Sequence, residues 1–278
     1  MVNIDLLTKK YFSKGEPCPY KLKSDIEILI YPILVKDYEE YDSCKGVLEI
    51  NKNDIGIQEF IQMSQLEYLN YLFSINEIIE EEKISIGELQ LQMFKNIFSL
   101  CLREDYVAIA RDNNGKYIVV VANKIEKIDE NGNKVEDFIC KYTISNKQFI
   151  EISKIILFQN DIDYDDRYIN PDVLKEYNEM LKLKYKGMRE PTFEERKVFV
   201  LARYRCKLED LNNMTKRFFD MLYSEYIKSE QYFVDVMYKT SQKFDIKENP
   251  VYPLFKPKED KFKDLFMSTE SLNSKLGN

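Results

Sequence analysis

The N-terminal part of the chain contains two short apolar runs with polar turn residues between them. Residues 20–23 (YKLK) and 26–35 (IEILIYPILV) are rich in β-branched and aromatic side chains, and Ser24 and Asp25 separate them. This spacing predicts a β-hairpin. Because Pro32 has no amide proton for a sheet ladder, the second run is expected to be an edge strand or to bend there.

Apolar residues then recur every three to four positions, which is the spacing of one helix face. Residues 57–82 predict one long helix, and residues 85–102 predict another. The first third of the chain is therefore predicted to be a hairpin followed by helices. The expected inner stripes are Phe60, Met63, Leu66, Leu69, Leu72 and Phe73 in the first helix, and Leu89, Met93, Ile97 and Leu100 in the second.

The middle of the chain changes to strand-like patterning. Residues 106–124 hold two β-rich runs around residues 113–115 (NNG), and Asn-Gly is a strong hairpin signal. A second turn is predicted at residues 130–132 (ENG), and helical spacing follows over residues 145–160. Residues 105–160 are therefore predicted to be a β-rich insert closed by a helix. That helix is defined by the candidate caps Ser145 and Asn146 and by the inner residues Phe149, Ile152 and Ile156.

Helical spacing dominates the rest of the chain. Residues 170–187 start with Asn-Pro and stop at Gly, as a helix with well-marked ends does. Residues 192–207 start with the capping-box pattern Thr-x-x-Glu, and residues 215–244 start with a capping Thr. Three prolines within residues 250–257 predict an extended tail. The inner stripe of the long third helix is expected to include Phe218, Leu222, Ile227 and Phe233.

Together these patterns predict an α+β fold that is mainly helical. It has an N-terminal β-hairpin, a β-rich insert in the middle and an extended C-terminal tail. At 278 residues the chain is long enough to bury a core without disulfide or metal support. The predicted divisions are 1–104 (hairpin plus helices), 105–160 (insert), 161–244 (helical C-terminal part) and 245–278 (tail).

The composition argues against the common kinds of catalysis. The chain has no His, so a Ser or Cys nucleophile would lack its usual base, and its eight scattered Gly form no phosphate-binding loop. We therefore predict no catalytic residue, no metal site and no cofactor. The start of the chain has no signal-peptide core, and no apolar run reaches about 18 residues, which predicts a cytoplasmic protein that does not enter the membrane. The widely spaced Cys18, Cys44, Cys101, Cys140 and Cys206 are expected to be buried, reduced thiols.

The stretch NDIDYDDRYINPD has the most chemical appearance. Asp161, Asp163 and Asp165 stand at alternate positions and Asp172 follows, which resembles the ligand spacing of a calcium-binding loop. Such a loop needs Gly at its sixth position, where this chain has Asp166, and a Glu at its last. Two interpretations stay open: a weak surface cation site, or an acidic loop before a helix start. The second is favoured, because acidic residues are stabilised near a helix N-terminus.

Charge is distributed unevenly along the chain. The net charge is −7, with −8 over residues 1–110, −2 over 111–170 and +3 over 171–278. An acidic front half would be repelled by phosphate, which argues against nucleic acid as the main partner. Residues 201–219 nevertheless resemble a helix-turn-helix, although the same pattern suits the wet face of a packed helical pair. The basic residues concerned are Arg203, Arg205, Lys207, Lys216 and Arg217.

The tail is the main candidate for partner binding. Residues 251–255 (VYPLF) are apolar and stiffened by proline, so they would lose little entropy on docking. A second cluster would form a one-sided stripe if it were helical. The alternative is that both segments pack back on their own domain. The candidate partner-binding residues are Val251, Tyr252, Leu254, Phe255, Phe262, Leu265 and Phe266.

Four segments, taken in order, give the chain a resemblance to a known group of proteins. They are PYKLKSDIEILIYPILVKDYEEY (19–41), FIQMSQLEYL (60–69), IILFQNDIDYDDRYINPDVLKEY (155–177) and LEDLNNMTKRFFDMLY (208–223). Read together, they resemble proteins of the tail-gene blocks of tailed bacteriophages and prophages of low-GC Gram-positive bacteria. Some of these are tail assembly chaperones. None of the segments is a catalytic motif.

The resemblance implies a non-enzymatic role in phage morphogenesis, through protein–protein contacts in tail assembly. The implied partners are other tail proteins, the tube or tape-measure protein, and a second copy of the chain is a further candidate. The implied location is the host cytoplasm. A permanent virion subunit of the tail, baseplate or connector is the first alternative, which would place the chain in the virion. A DNA-binding regulator acting through residues 201–219 is the second.

Overall fold

The computed structural model describes residues 2–22, 26–50, 52, 57–79, 83–128, 134–167, 171–184, 189–241 and 250–252. The chain divides into two compact units. Unit 1 comprises Met1–Asp166 and Cys206–Asp220, and unit 2 comprises Arg167–Arg205 and Met221–Asn278. The fold is α+β and mainly helical, as the sequence predicts.

A short helix and a hairpin open the chain. Helix α1 (Ile4–Lys10) precedes strands β1 (Cys18–Lys21) and β2 (Glu27–Ile30), which pair antiparallel. The N-terminal hairpin is therefore confirmed, while its predicted turn residues lie outside the described residues. Strand β2 ends before Pro32, as expected for a residue that cannot donate to a ladder.

The prediction of one continuous helix over residues 57–82 is wrong, because this stretch contains two shorter helices. Helices α2 (Tyr38–Cys44) and α3 (Gly46–Glu49) come first, and the predicted stretch then contains α4 (Gln58–Gln62) and α5 (Gln65–Phe73). The break lies at Ser64, whose extended backbone and capping box start a new helix. Side-chain hydrogen bonding to the backbone thus overrides an uninterrupted apolar period.

Helix α6 (Ile86–Leu102) follows strands β3 (Ile78–Ile79) and β4 (Ile84–Ser85), and its extent is as predicted. Its predicted inner stripe is confirmed in part: Ile97 is fully buried, and Met93 and Leu100 are half-buried and pack against the core. The fully buried side is shifted from the predicted one by about one residue. The helix is apolar over most of its circumference, so periodicity could not select the buried side. The side chains that the core does bury are Phe94, Ile97, Phe98, Cys101 and Leu102.

The β-rich insert is a three-stranded antiparallel sheet. Strands β5 (Val107–Arg111), β6 (Tyr117–Ile128) and β7 (Lys134–Ser145) lie in the order β5-β6-β7. The first hairpin is confirmed, and Gly115 takes the positive φ of +75° that its turn requires. The second predicted turn lies outside the described residues, but the long antiparallel pairing of β6 with β7 is as expected.

Helix α7 (Asn146–Asn160) is the centre of the core of unit 1. Ser145 and Gln148 form a capping box at its start, and its predicted inner residues are all buried. One hydrophobic cluster joins α7 to the N-terminal hairpin, to α2, α5 and α6, and to the sheet. A single core therefore runs through the predicted divisions 1–104 and 105–160. The buried residues of α7 include Phe149, Ile152, Ile155, Ile156 and Leu157.

Four helices complete the described chain. They are α8 (Pro171–Lys184), α9 (Phe193–Tyr204), α10 (Leu208–Asn212) and α11 (Lys216–Thr240). Both predicted caps are confirmed: Thr192 forms a capping box with Glu195, and the Thr215 hydroxyl oxygen accepts the amide of Phe218. The predicted stop of α8 at Gly187, and the tail apart from residues 250–252, lie outside the described residues.

The segment before α11 is part of unit 1. The amide of Val35 donates to Met214 at 2.9 Å, and the amide of Lys216 donates to the carbonyl of Ile33 at 2.7 Å. Leu34 and Thr215 form an isolated β-bridge between these two pieces of chain. The chain thus returns to the N-terminal core after α9.

Candidate functional site: the exposed side of helix α11 and the segment that lies on it

Two of the predicted partner-binding residues belong to the described chain. Val251 is 48% exposed and Tyr252 is 37% exposed. The other five, Leu254, Phe255, Phe262, Leu265 and Phe266, lie outside the described residues. Residues 250–252 belong to unit 2, and Tyr252 contacts α11 there.

The stripe predicted to face inward on α11 is wrong, because three of its four residues are exposed. Phe218, Ile227 and Phe233 are each more than two-fifths exposed, and Leu222 is half-buried. Helix α9 packs instead on α11 residues that the predicted stripe did not contain. The ring of Phe199 meets the rings of Tyr223 and Tyr226 edge-on, with centroids 5.8 and 6.3 Å apart.

The packing of α9 on α11 extends to an ion pair. Arg203, in the last turn of α9, pairs with Glu230 of α11. Phe199, Tyr223 and Tyr226 pack before it, so the described contacts cover about two turns of α11. The 25-residue helix then continues for ten residues past Glu230.

The side of α11 that faces α9 stays apolar after α9 ends. Phe233 follows Tyr226 by seven residues and Met237 follows Glu230 by seven, so each repeats the same side two turns later. Phe233 is 56% exposed and Met237 is 64% exposed. Because they are four residues apart, they are neighbours on one helix face. We call this pair the α11 apolar surface.

Aromatic and thioether side chains are well suited to protein docking. Large rings and flexible Met side chains are enriched where proteins bind one another, and Met adapts its shape to different partners. An exposed apolar residue alone is ordinary, but here two large ones continue a helix face that is packed elsewhere. The α11 apolar surface therefore has the chemistry of a protein-binding site.

The acidic loop is engaged in internal contacts of unit 1. Asp161 accepts the Tyr41 hydroxyl at 2.9 Å and the Lys216 ammonium at 2.8 Å, while Asp166 pairs with Lys154 at 2.7 Å. Asp161 is the C-cap residue of α7. Within the described ranges, no group of three or more His, Cys, Asp or Glu side chains is placed to hold a metal ion.

Lys216 is a buried cation with all three protons engaged. Its ammonium donates to Asp161 at 2.8 Å, to Asp220 at 2.6 Å and to the carbonyl of Asn160 at 3.2 Å. Burial alone would lower the pKa of Lys216, but the two carboxylates outweigh it and leave the pKa raised. Burial, followed by the charge of Asp161, raises the pKa of the Tyr41 phenol. This cluster fastens the start of α11 to the end of α7.

The same contacts bear on the helix-turn-helix interpretation of residues 201–219. Lys216 is buried, and Arg217 donates to the carbonyl of Phe158 at 2.8 Å. Arg203 pairs with Glu230, and the backbone of Arg205 turns left-handed to end α9. The side chains of Arg203, Lys216 and Arg217 therefore have partners inside the chain, and Lys216 is withdrawn from the surface that DNA would contact.

The cysteines are distributed differently from the expectation that all are buried. Cys18, Cys44 and Cys101 are buried as expected, Cys206 is half-buried, and Cys140 on β7 is exposed. All five lie in the described residues and all are free thiols. Burial raises the pKa of the Cys18 thiol to about 11.

Neither the α11 apolar surface nor the pairing of Asp161 with Lys216 was predicted from the sequence. The sequence does contain a sign of the surface, because α11 has more apolar residues around it than a single packed helix can cover. The sequence contains no sign of the ion pair, since Asp161 and Lys216 are distant in sequence and are brought together only by the fold.

The comparisons with known proteins add no relative: no family model, no curated protein and no solved structure matches the chain. The resemblance to proteins of phage tail-gene blocks stays a prediction. In the part of the chain that the structure describes, no helix combines the length and the apolarity needed to cross a membrane.

Proposed function

We propose that the chain is a non-enzymatic component of bacteriophage tail assembly that binds other tail proteins through its helical unit. The observation that carries the protein-binding part is the α11 apolar surface, where Phe233 and Met237 continue a packed helix face into solvent. The order of the four sequence segments described above supplies the phage context.

A chaperone role fits the size of this surface. Burying a Phe or Met side chain in an interface contributes about 1.5–3 kcal/mol each. Two such side chains help a partner bind but do not by themselves make a permanent interface, which buries a far larger area. An assembly chaperone needs this balance, because it must cover the apolar surface of a tube or tape-measure protein and later release it.

The tail belongs to the same proposal. Val251 and Tyr252 lie on unit 2 with α11, so the tail and the α11 apolar surface are carried by one unit. We expect the tail residues from Val251 to Phe266 to add contacts to the same partner. Deletion of residues 245–278 is then expected to weaken capture while leaving the far-ultraviolet circular dichroism of the remaining chain helical.

Co-purification tests the proposal. The tagged full chain is co-expressed with the tube protein or the tape-measure protein of the same gene block, and the retained partner is quantified. Phe233→Ser combined with Met237→Ser is expected to reduce retention about tenfold or more, because two apolar side chains that the partner would bury are lost. The matched control is Ile78→Ser on β3, which removes an equally exposed apolar side chain (67%) from unit 1 and should leave retention unchanged.

A permanent virion subunit is separated from a chaperone by the composition of purified particles. If the chain works as a chaperone, mass spectrometry of the particles finds it absent or far below the amount of the tube protein. Its presence at a fixed, stoichiometric ratio in the particles would favour the virion subunit instead.

A further inference from the structure

The beginning of the C-terminal segment lies on α11 through one aromatic residue. The ring of Tyr252 meets the ring of Tyr232 edge-on, with centroids 5.1 Å apart and planes at 77°. Its hydroxyl oxygen is 3.2 Å from the hydroxyl oxygen of Ser229. Ser229 and Tyr232 are three residues apart on α11, so together they present one short stretch of helix surface.

The direction of the hydroxyl contact follows from proton counting. The Ser229 hydroxyl already donates to the carbonyl of Glu225 at 2.7 Å. A hydroxyl has one proton, so Ser229 can only accept from Tyr252. The Tyr252 hydroxyl is therefore the donor. This stretch of α11 is matched to a ring that carries a hydroxyl donor, that is, to tyrosine rather than phenylalanine.

We infer that Ser229 and Tyr232 form a recognition site for an extended peptide segment that carries tyrosine, and that Tyr252 occupies this site in the free chain. The inference rests on the proposed function, because it names the kind of partner segment that unit 2 accepts. A tyrosine-bearing segment of a tail protein would have to displace Tyr252.

The contact of Tyr252 with Ser229 and Tyr232 is weak enough for another segment to displace it. One edge-to-face ring pair and one hydrogen bond together favour the docked state by roughly five- to one-hundredfold. Ordering the segment opposes this gain, and Tyr252 keeps 37% of its surface exposed. A tethered segment acts at an effective concentration on the order of millimolar. Occupation by Tyr252 should therefore weaken the binding of a competing segment severalfold without preventing it.

Fluorescence anisotropy tests the inference with the full chain. The probe is a labelled peptide with the sequence of residues 250–255 (PVYPLF), and a second probe carries Phe in place of Tyr. The Tyr252→Ala chain, whose site is vacated, is expected to bind the tyrosine probe at least about threefold more tightly than the wild type. It should prefer the tyrosine probe over the phenylalanine probe by about fivefold.

Replacing Ser229 identifies the site. In the chain with both Tyr252→Ala and Ser229→Ala, the preference for tyrosine over phenylalanine is expected to disappear, because the hydroxyl acceptor is gone. Tyr252→Phe in an otherwise wild-type chain should bind the tyrosine probe with intermediate affinity. Tyr204→Ala removes an exposed tyrosine of α9 and serves as the control that leaves probe binding at the wild-type level. Circular dichroism verifies that each variant keeps its helices.

Each contrary result overturns a named part. Equal binding of the probe by the wild type and Tyr252→Ala would show that Tyr252 does not occupy the site. No binding by Tyr252→Ala, or a tyrosine preference that survives Ser229→Ala, would show that Ser229 and Tyr232 are not the site. Capture of tail proteins is scored separately: capture without probe binding overturns this inference alone, and probe binding without capture overturns the proposed function alone.

Discussion

At the scale of single residues, the buried cation Lys216 attaches the segment Cys206–Asp220 to the rest of unit 1. The Lys216 ammonium has three acceptors around it, and its side chain is only 5% exposed. The sequence shows an acidic loop and a basic stretch, but not that Asp161 and Lys216 meet. Ion pairs between distant residues are decided by the fold. The spacing within the loop therefore offered only a weak cation site or, as the favoured interpretation, an acidic loop before a helix start.

Replacing this cation should destabilise unit 1 strongly. Lys216→Met leaves the carboxylates of Asp161 and Asp220 without their buried partner, and we expect a loss of about 3–5 kcal/mol in the free energy of unfolding. Urea denaturation followed by circular dichroism measures it. Lys228→Met is the matched control, because it breaks an exposed pair with Glu225 and should change stability by less than about 1 kcal/mol. A similar effect of both variants would refute the structural role of Lys216.

The buried thiol of Cys18 predicts a loss of stability at alkaline pH. Its pKa is about 11 in the folded chain and about 8.5 in an unfolded one, so between these values the unfolded state binds fewer protons. Stability is therefore fully present below about pH 8.5 and falls as the pH rises toward 11. Urea midpoints between pH 7 and 10.5 should fall less steeply for Cys18→Ala than for the wild type. Cys140→Ala, which removes the exposed thiol, is the control; an equal slope in Cys18→Ala would contradict the assignment.

At the scale of helices and strands, the ends were predicted better than the faces. Ser145, Thr192 and Thr215 cap helices where local sequence places them, because a cap depends on residues only three positions apart. The buried side of α6 was predicted only in part, and the inner stripe of α11 was predicted wrongly. A helix that is apolar around most of its circumference packs whichever side its neighbours cover, and the neighbours are not visible in its own sequence.

One close approach between elements gives a sharp test. A Cβ added at Gly87, in the first turn of α6, would lie 2.3 Å from the carbonyl oxygen of Phe73. Since the obstacle is backbone, Gly87→Ala should cost about 1–3 kcal/mol of stability.

Gly46 supplies the opposite case. A Cβ there would meet nothing within 4 Å, and the residue is in helix α3. Gly46→Ala should therefore leave stability unchanged or raise it by up to about 1 kcal/mol. Thermal unfolding of both variants decides the matter, and a Gly87→Ala chain as stable as Gly46→Ala would show that α5 and α6 do not meet as described.

At the scale of the whole molecule, the fold class could be predicted and the grouping of the elements could not. The mainly helical α+β fold, the hairpin and the central sheet all follow from local periodicity and turn residues. The sharing of one core by residues 1–104 and 105–160 depends on where α7 packs. The return of Cys206–Asp220 to unit 1 depends on Lys216 and on backbone bonds to Ile33 and Val35. None of these partners is near in sequence.

The large buried core and the proposed binding surface lie in different units. Unit 1 holds the large buried core, whereas the part of helix α11 that belongs to unit 2 carries the exposed Phe233 and Met237. The ring of Tyr252 contacts the same helix at Tyr232. We therefore propose that unit 1 supplies most of the stability and that unit 2 supplies the partner contacts. Variants that change binding should map to unit 2, and variants that change the free energy of unfolding most should map to unit 1.

The proposed binding role of the α11 apolar surface can be measured as suppression of tape-measure protein aggregation. The proposed partner, a tape-measure protein, is diluted from denaturant, and light scattering is followed with and without an equimolar amount of the full chain. We expect the wild type and Ile78→Ser to suppress scattering, and the chain with Phe233→Ser and Met237→Ser to require at least about tenfold more protein for the same effect. Equal suppression by all three chains, or none by the wild type, would contradict a binding role for the α11 apolar surface.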